Sequence, residues 1–115
     1  MKERRKHKRI KLIYYLDILN YETGKLLGNL GDISNGGLMM FGKEQMEAGK
    51  EFLLRMVLPE KTYGKKSITL KANSCWSKVD VNPAFYASGY EFVEIGTVET
   101  KTIEFLIDNF AFKGS

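Results

Sequence analysis

The stretch "SITLKANSCWSKVD" (residues 67–80) decides the fold class, because its apolar and polar residues alternate along the chain. Such alternation, with a period of two residues, is typical of a β-strand with one buried face. Lys71 lies on the polar face. The other face carries Ile68, Leu70, Ala72, Ser74 and Trp76.

Strand-like segments also lie on both sides of this stretch. They are "IKLIYYLDILNY" (10–21), "LLGNLGD" (26–32), "LMMF" (38–41), "FLLRMVLP" (52–59) and "AFYASGYEFVEI" (84–95). The turns "ETGK" (22–25) and "SNGG" (34–37) separate the first three, and Gly24 and the Asn-Gly pair accept left-handed dihedrals at low cost. Gly28 suggests a bulge, and Pro59 is expected to end its strand. Short strands at this spacing predict a closed or nearly closed antiparallel barrel.

The periodicity becomes helical near the end of the chain. Ile103, Leu106, Ile107 and Phe110 are spaced as one face of a helix. Thr97 is the predicted N-cap. We therefore predict one mainly all-β domain: a basic flexible arm over 1–9, a six-stranded antiparallel barrel over 10–96, and a C-terminal helix over 97–113 packed on the barrel.

The charge of the chain is concentrated in the arm. Residues 2–11 hold seven lysines and arginines and one acid, a net charge of +6, whereas the whole 115-residue chain carries +4. The remainder therefore has a net charge of −2, so the basic character belongs to the arm and not to the barrel. Three of the four arginines, Arg4, Arg5 and Arg9, lie there.

The sequence argues against catalysis and metal binding. His7 is the single histidine and Cys75 the single cysteine, too few for a zinc site of Cys and His ligands. Nucleophile-elbow, dinucleotide-binding and P-loop patterns are absent. One cysteine allows no internal disulfide, and neither a secretory signal nor a membrane span is evident. The expected location is the cytoplasm.

Two stretches carry recognition chemistry. The guanidinium fork of arginine matches guanine O6 and N7, and it also pairs with phosphate. In "DISNGG", Asp32 can cap its own turn or accept hydrogen bonds from guanine, with the Ser34 hydroxyl beside it and Gly37 allowing close approach. In an antiparallel barrel, the start of the first strand and the end of the second lie at the same end. The root of the arm and this turn are therefore predicted neighbours.

The pattern R-x-x-x-R at Arg5 and Arg9, followed by D-x-S-x-x-G at Asp32, Ser34 and Gly37, resembles the PilZ domain family over residues 3–112. The resemblance implies a six-stranded barrel with a C-terminal helix and binding of the bacterial second messenger cyclic di-GMP. It implies a non-enzymatic receptor without a cofactor that controls motility or biofilm formation through an unidentified downstream protein, without binding DNA or RNA.

The resemblance implies that Arg5 and Arg9 bind guanine and phosphate, and that Arg4 favours binding of the ligand as an intercalated dimer. The ligand-binding residues it implies are Arg4, Arg5, Arg9, Asp32, Ser34, Gly36, Gly37 and Trp76. For Trp76, stacking on a guanine and packing in the core both remain open.

Two other functions remain open. A small barrel with a basic arm and tyrosines can bind single-stranded nucleic acid, in which case the affinity falls steeply with salt. A PilZ-like adaptor can act through protein contacts alone.

Overall fold

The computed structural model describes residues 10–12 and 15–112; for residues 10–12, 60 and 110–112 it describes the backbone alone. The predicted arm over 1–9 lies outside the described residues. In the described residues, one helix, α1 (Thr97–Phe110), accompanies eight strands. These are β1 (Ile10–Leu12), β2 (Asp17–Asn20), β3 (Leu26–Ile33), β4 (Gly37–Gly42), β5 (Glu51–Thr62), β6 (Lys65–Val79), β7 (Tyr86–Phe92) and β8 (Ala111–Phe112).

Six of the strands close a barrel. Their order is β2-β5-β6-β7-β4-β3, and pairing of β2 with β3 completes the ring, with every pair antiparallel. This confirms the predicted six-stranded antiparallel barrel with one C-terminal helix. The predicted first strand over 10–21 occurs as two strands, β1 and β2, which pair with different parts of β3. The short β8 extends the sheet beyond β1.

One apolar core joins the barrel to the helix. Ile103 and Leu106 of α1 are fully buried in the same cluster as the inward-facing barrel residues, and Ile107 packs at its margin. Each buried side chain of this size contributes on the order of 1.5–3 kcal/mol to stability. Fully buried barrel side chains include Ile18, Leu30, Ile33, Met40, Leu54, Met56 and Leu70.

Three boundaries differ from the predictions. Pro59 does not end a strand: β5 continues to Thr62, and its register with β6 shifts between Val57 and Thr62, where a residue without an N–H is tolerated. The Gly96 carbonyl accepts the first helical hydrogen bond from the Thr100 N–H at 2.9 Å, so Gly96, not Thr97, holds the N-cap position. The helix ends at Phe110, because β8 follows it.

Candidate functional site

The β3–β4 turn is organised by its serine. The Ser34 N–H donates to the Gly37 carbonyl at 2.9 Å, and the Gly36 N–H donates to Ser34 Oγ at 3.2 Å. Among the described residues, positive φ occurs at Gly24, as predicted, but not at Asn35 or Gly36. The prediction that this turn uses left-handed dihedrals is therefore wrong. The Ser34 side chain supplies the local hydrogen bond that stabilises the turn.

Gly37 is required by a close approach of two strands. A Cβ on Gly37 would lie 2.0 Å from the Tyr90 carbonyl oxygen, whereas a Cβ on Gly36 would meet nothing within 4 Å. Gly37 pairs with Glu91 of β7, and the Gly36 carbonyl accepts a hydrogen bond from the Phe92 N–H at 2.9 Å. The turn is thereby held against the end of β7.

A groove of about 520 Å³ opens beside this turn. Its volume lies within the range of small-molecule sites. It contains every predicted site residue that the structure describes and joins the β3–β4 turn to β6 and β7. Its lining, which we call the motif groove, is Asp32, Ile33, Ser34, Gly36, Gly37, Leu38, Met39, Cys75, Trp76, Gly89, Tyr90 and Glu91.

Trp76 reaches the groove because β6 has a bulge. Ser74 pairs with Tyr90 and Trp76 with Gly89, so Cys75 is the extra residue, and the alternation changes phase there. Ser74 is buried, whereas Trp76 is 38% exposed, which decides against core packing of its ring. A Cβ on Gly89 would lie 2.4 Å from Trp76 Nε1 and 2.5 Å from its Cε2, so one face of the indole rests on the Gly89 backbone.

The described lining of the motif groove is acidic and aromatic. Asp32 is half-buried and Glu91 exposed, and no lysine or arginine belongs to this lining. The Tyr90 ring is buried beneath the groove and packs edge-on against Phe52, with ring centroids 6.1 Å apart. The described side chains thus offer carboxylate acceptors and an indole surface, but not the cations that an anionic ligand needs.

Burial raises the pKa of the Tyr90 phenol above its usual value of 10.0, and the hydrogen bond donated by Ser88 Oγ offsets part of this rise. Above about pH 10 the unfolded chain loses this proton before the folded chain does, so this contribution to stability falls as the pH rises.

We expect the free energy of unfolding to fall less steeply between about pH 9 and pH 11 in Tyr90→Phe than in the unsubstituted chain. Urea unfolding at several pH values measures this; parallel curves would contradict it.

The predicted arginines lie outside the described residues, as does His7. The backbone that follows them is described: Ile10 pairs with Ile33, and Lys11 pairs with Asp32. The predicted proximity of the root of the arm to the β3–β4 turn is therefore confirmed. Arg9 directly precedes Ile10 in the sequence, and Ile33, the strand partner of Ile10, lies between Asp32 and Ser34.

Sequence reasoning missed several residues of the motif groove. Cys75, Gly89 and Glu91 carry no motif of their own and reach the groove only through the pairing of β6, β7 and β4. The register places Glu91 opposite Gly37, information that a single sequence does not contain. Tyr90, within the strand-like segment "AFYASGYEFVEI" (84–95), is buried.

The model of the PilZ domain family matches residues 3–109. The match covers both arginines of the first motif, the β3–β4 turn, the barrel and nearly all of α1. This chain belongs to the PilZ domain family.

Solved structures share the fold at low sequence identity. The Bacillus subtilis inhibitor of motility MotI/DgrA is 18% identical with a TM-score of 0.69, covering 93% of this chain and 52% of that one. The PilZ domain of YcgR from Escherichia coli, solved with c-di-GMP, is 14% identical with a TM-score of 0.66, covering 94% and 92%. MrkH of K. pneumonia in its apo state is 15% identical with a TM-score of 0.72, covering 95% and 52%. This chain thus spans about half of MotI/DgrA and MrkH.

A comparison with curated proteins found no match. Within the described part of the chain, no helix has the length and apolar character needed to span a bilayer. Among the side chains that the structure describes, no group of three or more His, Cys, Asp or Glu is arranged to hold a metal ion.

Proposed function

We propose that this chain is a non-catalytic receptor domain that binds cyclic di-GMP in the motif groove. The observation that carries the proposal is the convergence of Asp32 and Ser34 of the second motif with Trp76 of β6 on one groove. The backbone of Ile10, directly after the arginine motif, pairs at the same place. Membership of the PilZ family and the c-di-GMP in the YcgR structure support the choice of ligand.

The described side chains suit a guanine base. A carboxylate accepts hydrogen bonds through both oxygens, and the guanine edge presents two adjacent donors, N1–H and the 2-amino group. We assign this contact to Asp32, with the Ser34 hydroxyl next to it. Trp76 offers its indole to a purine ring, a contact worth about 1–3 kcal/mol per base in other nucleotide-binding proteins.

The phosphates require the arginines. Cyclic di-GMP carries two negative charges. The charged side chains in the described lining of the motif groove are two carboxylates, Asp32 and Glu91, which are also negative. We assign the compensating cations to Arg5 and Arg9, whose forked guanidinium groups pair bidentately with phosphate and with the O6 and N7 edge of guanine. Arg4, immediately before the motif, is assigned to a second ligand molecule in an intercalated dimer.

Ligand binding in the motif groove changes the surface that the domain presents to a partner protein. When Arg5 and Arg9 engage the ligand, its phosphates largely neutralise their charge, which alters the surface offered to a partner. The output is a change of interaction with a downstream bacterial protein in the cytoplasm and not a chemical reaction. The basic segment is thus both a ligand-binding element and an interaction element.

Titration calorimetry of the full chain with cyclic di-GMP tests the proposal, with GMP and cyclic di-AMP as controls. We expect saturable binding of cyclic di-GMP accompanied by a change in Trp76 fluorescence, because the indole is exposed at the groove. Neither control should match this affinity, since GMP lacks the second nucleotide and adenine lacks the donor edge that Asp32 reads. Absence of heat and of a fluorescence change would favour the adaptor function.

Salt dependence separates this ligand from a polynucleotide. A ligand with two phosphates releases few counterions, so its affinity should change little between about 50 and 200 mM salt, whereas a protein holding six or more phosphates loses about 1,000-fold or more. Fluorescence titrations with cyclic di-GMP and with single-stranded oligonucleotides at both salt concentrations measure this. Tight, steeply salt-dependent binding of the oligonucleotide alone would identify a nucleic-acid-binding protein.

A further inference from the structure

The ammonium of a lysine lies over the Trp76 indole. Lys78 Nζ lies over the ring, 5.3 Å from its centroid. The other face of the indole rests on the Gly89 backbone, where an added Cβ would overlap Nε1 and Cε2 of the ring. The ammonium therefore stands on the face of the indole that is turned away from the sheet.

The bulge at Cys75 brings this lysine beside Trp76, which lines the motif groove. Trp76 and Lys78 lie two residues apart on β6 after the bulge, so their side chains share one face, as successive even positions of a strand do. A strand without the extra residue would place both side chains on the opposite face. The irregularity that exposes Trp76 thus also sets a positive charge beside it.

Lys78 is not committed to an ion pair with any described residue. Among described residues the lysines that form ion pairs are Lys25, with Glu44, and Lys71, with Glu51 and Glu94. Lys78 is exposed, and among the described residues its ammonium contacts the indole ring, an interaction that is weak at a solvent-exposed position. Its charge is therefore available to an anion that binds beside Trp76, at the margin of the motif groove.

We propose that Lys78 is a ligand-binding residue that supplies a cation to a phosphate of the cyclic dinucleotide. This assignment rests on the proposed function. In the free protein the ammonium covers the outer face of Trp76. When a guanine stacks on that face, the flexible lysine stem moves the ammonium to the adjacent phosphate, so that one positive charge balances part of the ligand charge beside Asp32 and Glu91.

Two possible roles of Lys78, covering the indole and supplying charge to a phosphate, predict opposite changes in affinity when the lysine is removed. If Lys78 only covered the indole, its removal would expose the stacking surface and tighten binding. If it supplies charge to a phosphate, its removal weakens binding. The sign of the change in affinity therefore decides between the two roles.

The experiment is calorimetric titration of cyclic di-GMP into the unsubstituted chain, Lys78→Met, Lys78→Arg and Lys50→Met. Methionine keeps much of the apolar stem without the charge, and arginine keeps the charge. Lys50 is the matched control, because its ammonium lies over Phe52 at 5.6 Å in a comparable contact away from the motif groove. We expect about a fivefold loss of affinity in Lys78→Met and near-unchanged affinity in Lys78→Arg and Lys50→Met.

Salt supplies a readout that a structural role of Lys78 would not change. The ratio of the Kd of Lys78→Met to that of the unsubstituted chain should approach one near 1 M salt, where the screening length falls to about 3 Å. Binding by the unsubstituted chain with equal or tighter binding in Lys78→Met would overturn the Lys78 assignment alone. No binding of cyclic di-GMP by the unsubstituted chain would overturn the proposed function and this assignment together.

Discussion

Asp32→Asn and Arg9→Ala are each expected to lower the affinity for cyclic di-GMP by about 100-fold or more. Each residue is assigned two charge-assisted hydrogen bonds to the ligand, each worth about 1.5–3 kcal/mol. Asparagine keeps the shape of the Asp32 side chain but replaces one acceptor oxygen with a donor group, which then faces the donor edge of guanine. Calorimetric titration of the full chain measures both losses.

His7→Ala is the matched control for the arginine substitution. His7 lies between Arg5 and Arg9 in the chain, and no contact with the ligand is assigned to it. Its replacement should therefore leave the affinity within about twofold. Thermal unfolding of each variant separates lost binding from lost folding. Equal affinities in all four proteins would remove the assignment of Asp32 and Arg9 to the site.

Gly37→Ala is expected to destabilise the fold by about 2–4 kcal/mol, the largest effect expected here for adding one methyl group. Its Cβ would lie 2.0 Å from the Tyr90 carbonyl oxygen and 3.3 Å from the Glu91 Cα, so the β4 and β7 backbones must separate. The main-chain pairing of Gly37 with Glu91 weakens as a result. Thermal unfolding should show a decrease in Tm of about 8–17 °C.

Gly36→Ala, one residue earlier, is the matched control for stability. A Cβ there meets nothing within 4 Å, and Gly36 has no positive φ that would strain an L-residue. Its Tm should stay within a few degrees of that of the unsubstituted chain, since such substitutions change stability by about 0.5 kcal/mol. Equal decreases in the two variants would show that the turn, and not the approach of β7, requires glycine.

The barrel and helix were predictable because their signals are local. Alternation along residues 67–74 and the helical spacing of Ile103 and Leu106 each follow from burial of one face, and both faces are buried in the structure. Gly24 has the predicted positive φ because its turn requires that conformation. The proximity of Ile10 to the β3–β4 turn followed from the antiparallel order of the first strands.

The remaining features depend on partners distant in sequence. The bulge at Cys75 is defined only against Tyr90 and Gly89 of β7, and it reverses the face on which Trp76 lies. Pro59 lies within a strand because the β5–β6 register shifts there. The sequence of residues 52–59 alone does not indicate this shift. Gly37 was correctly assigned a close approach, but the neighbour was expected to be a ligand, whereas the structure places the Tyr90 carbonyl there.

The proposed function requires that the arginine motif and the β3–β4 turn hold one and the same ligand molecule. A crystal structure of the full chain with cyclic di-GMP tests it most directly. We expect the Arg5 and Arg9 guanidinium groups and the Asp32 carboxylate all to lie within hydrogen-bond distance of the same ligand molecule, with a guanine stacked on Trp76. A ligand bound away from Asp32, or arginines directed away from a ligand seated in the motif groove, would contradict it.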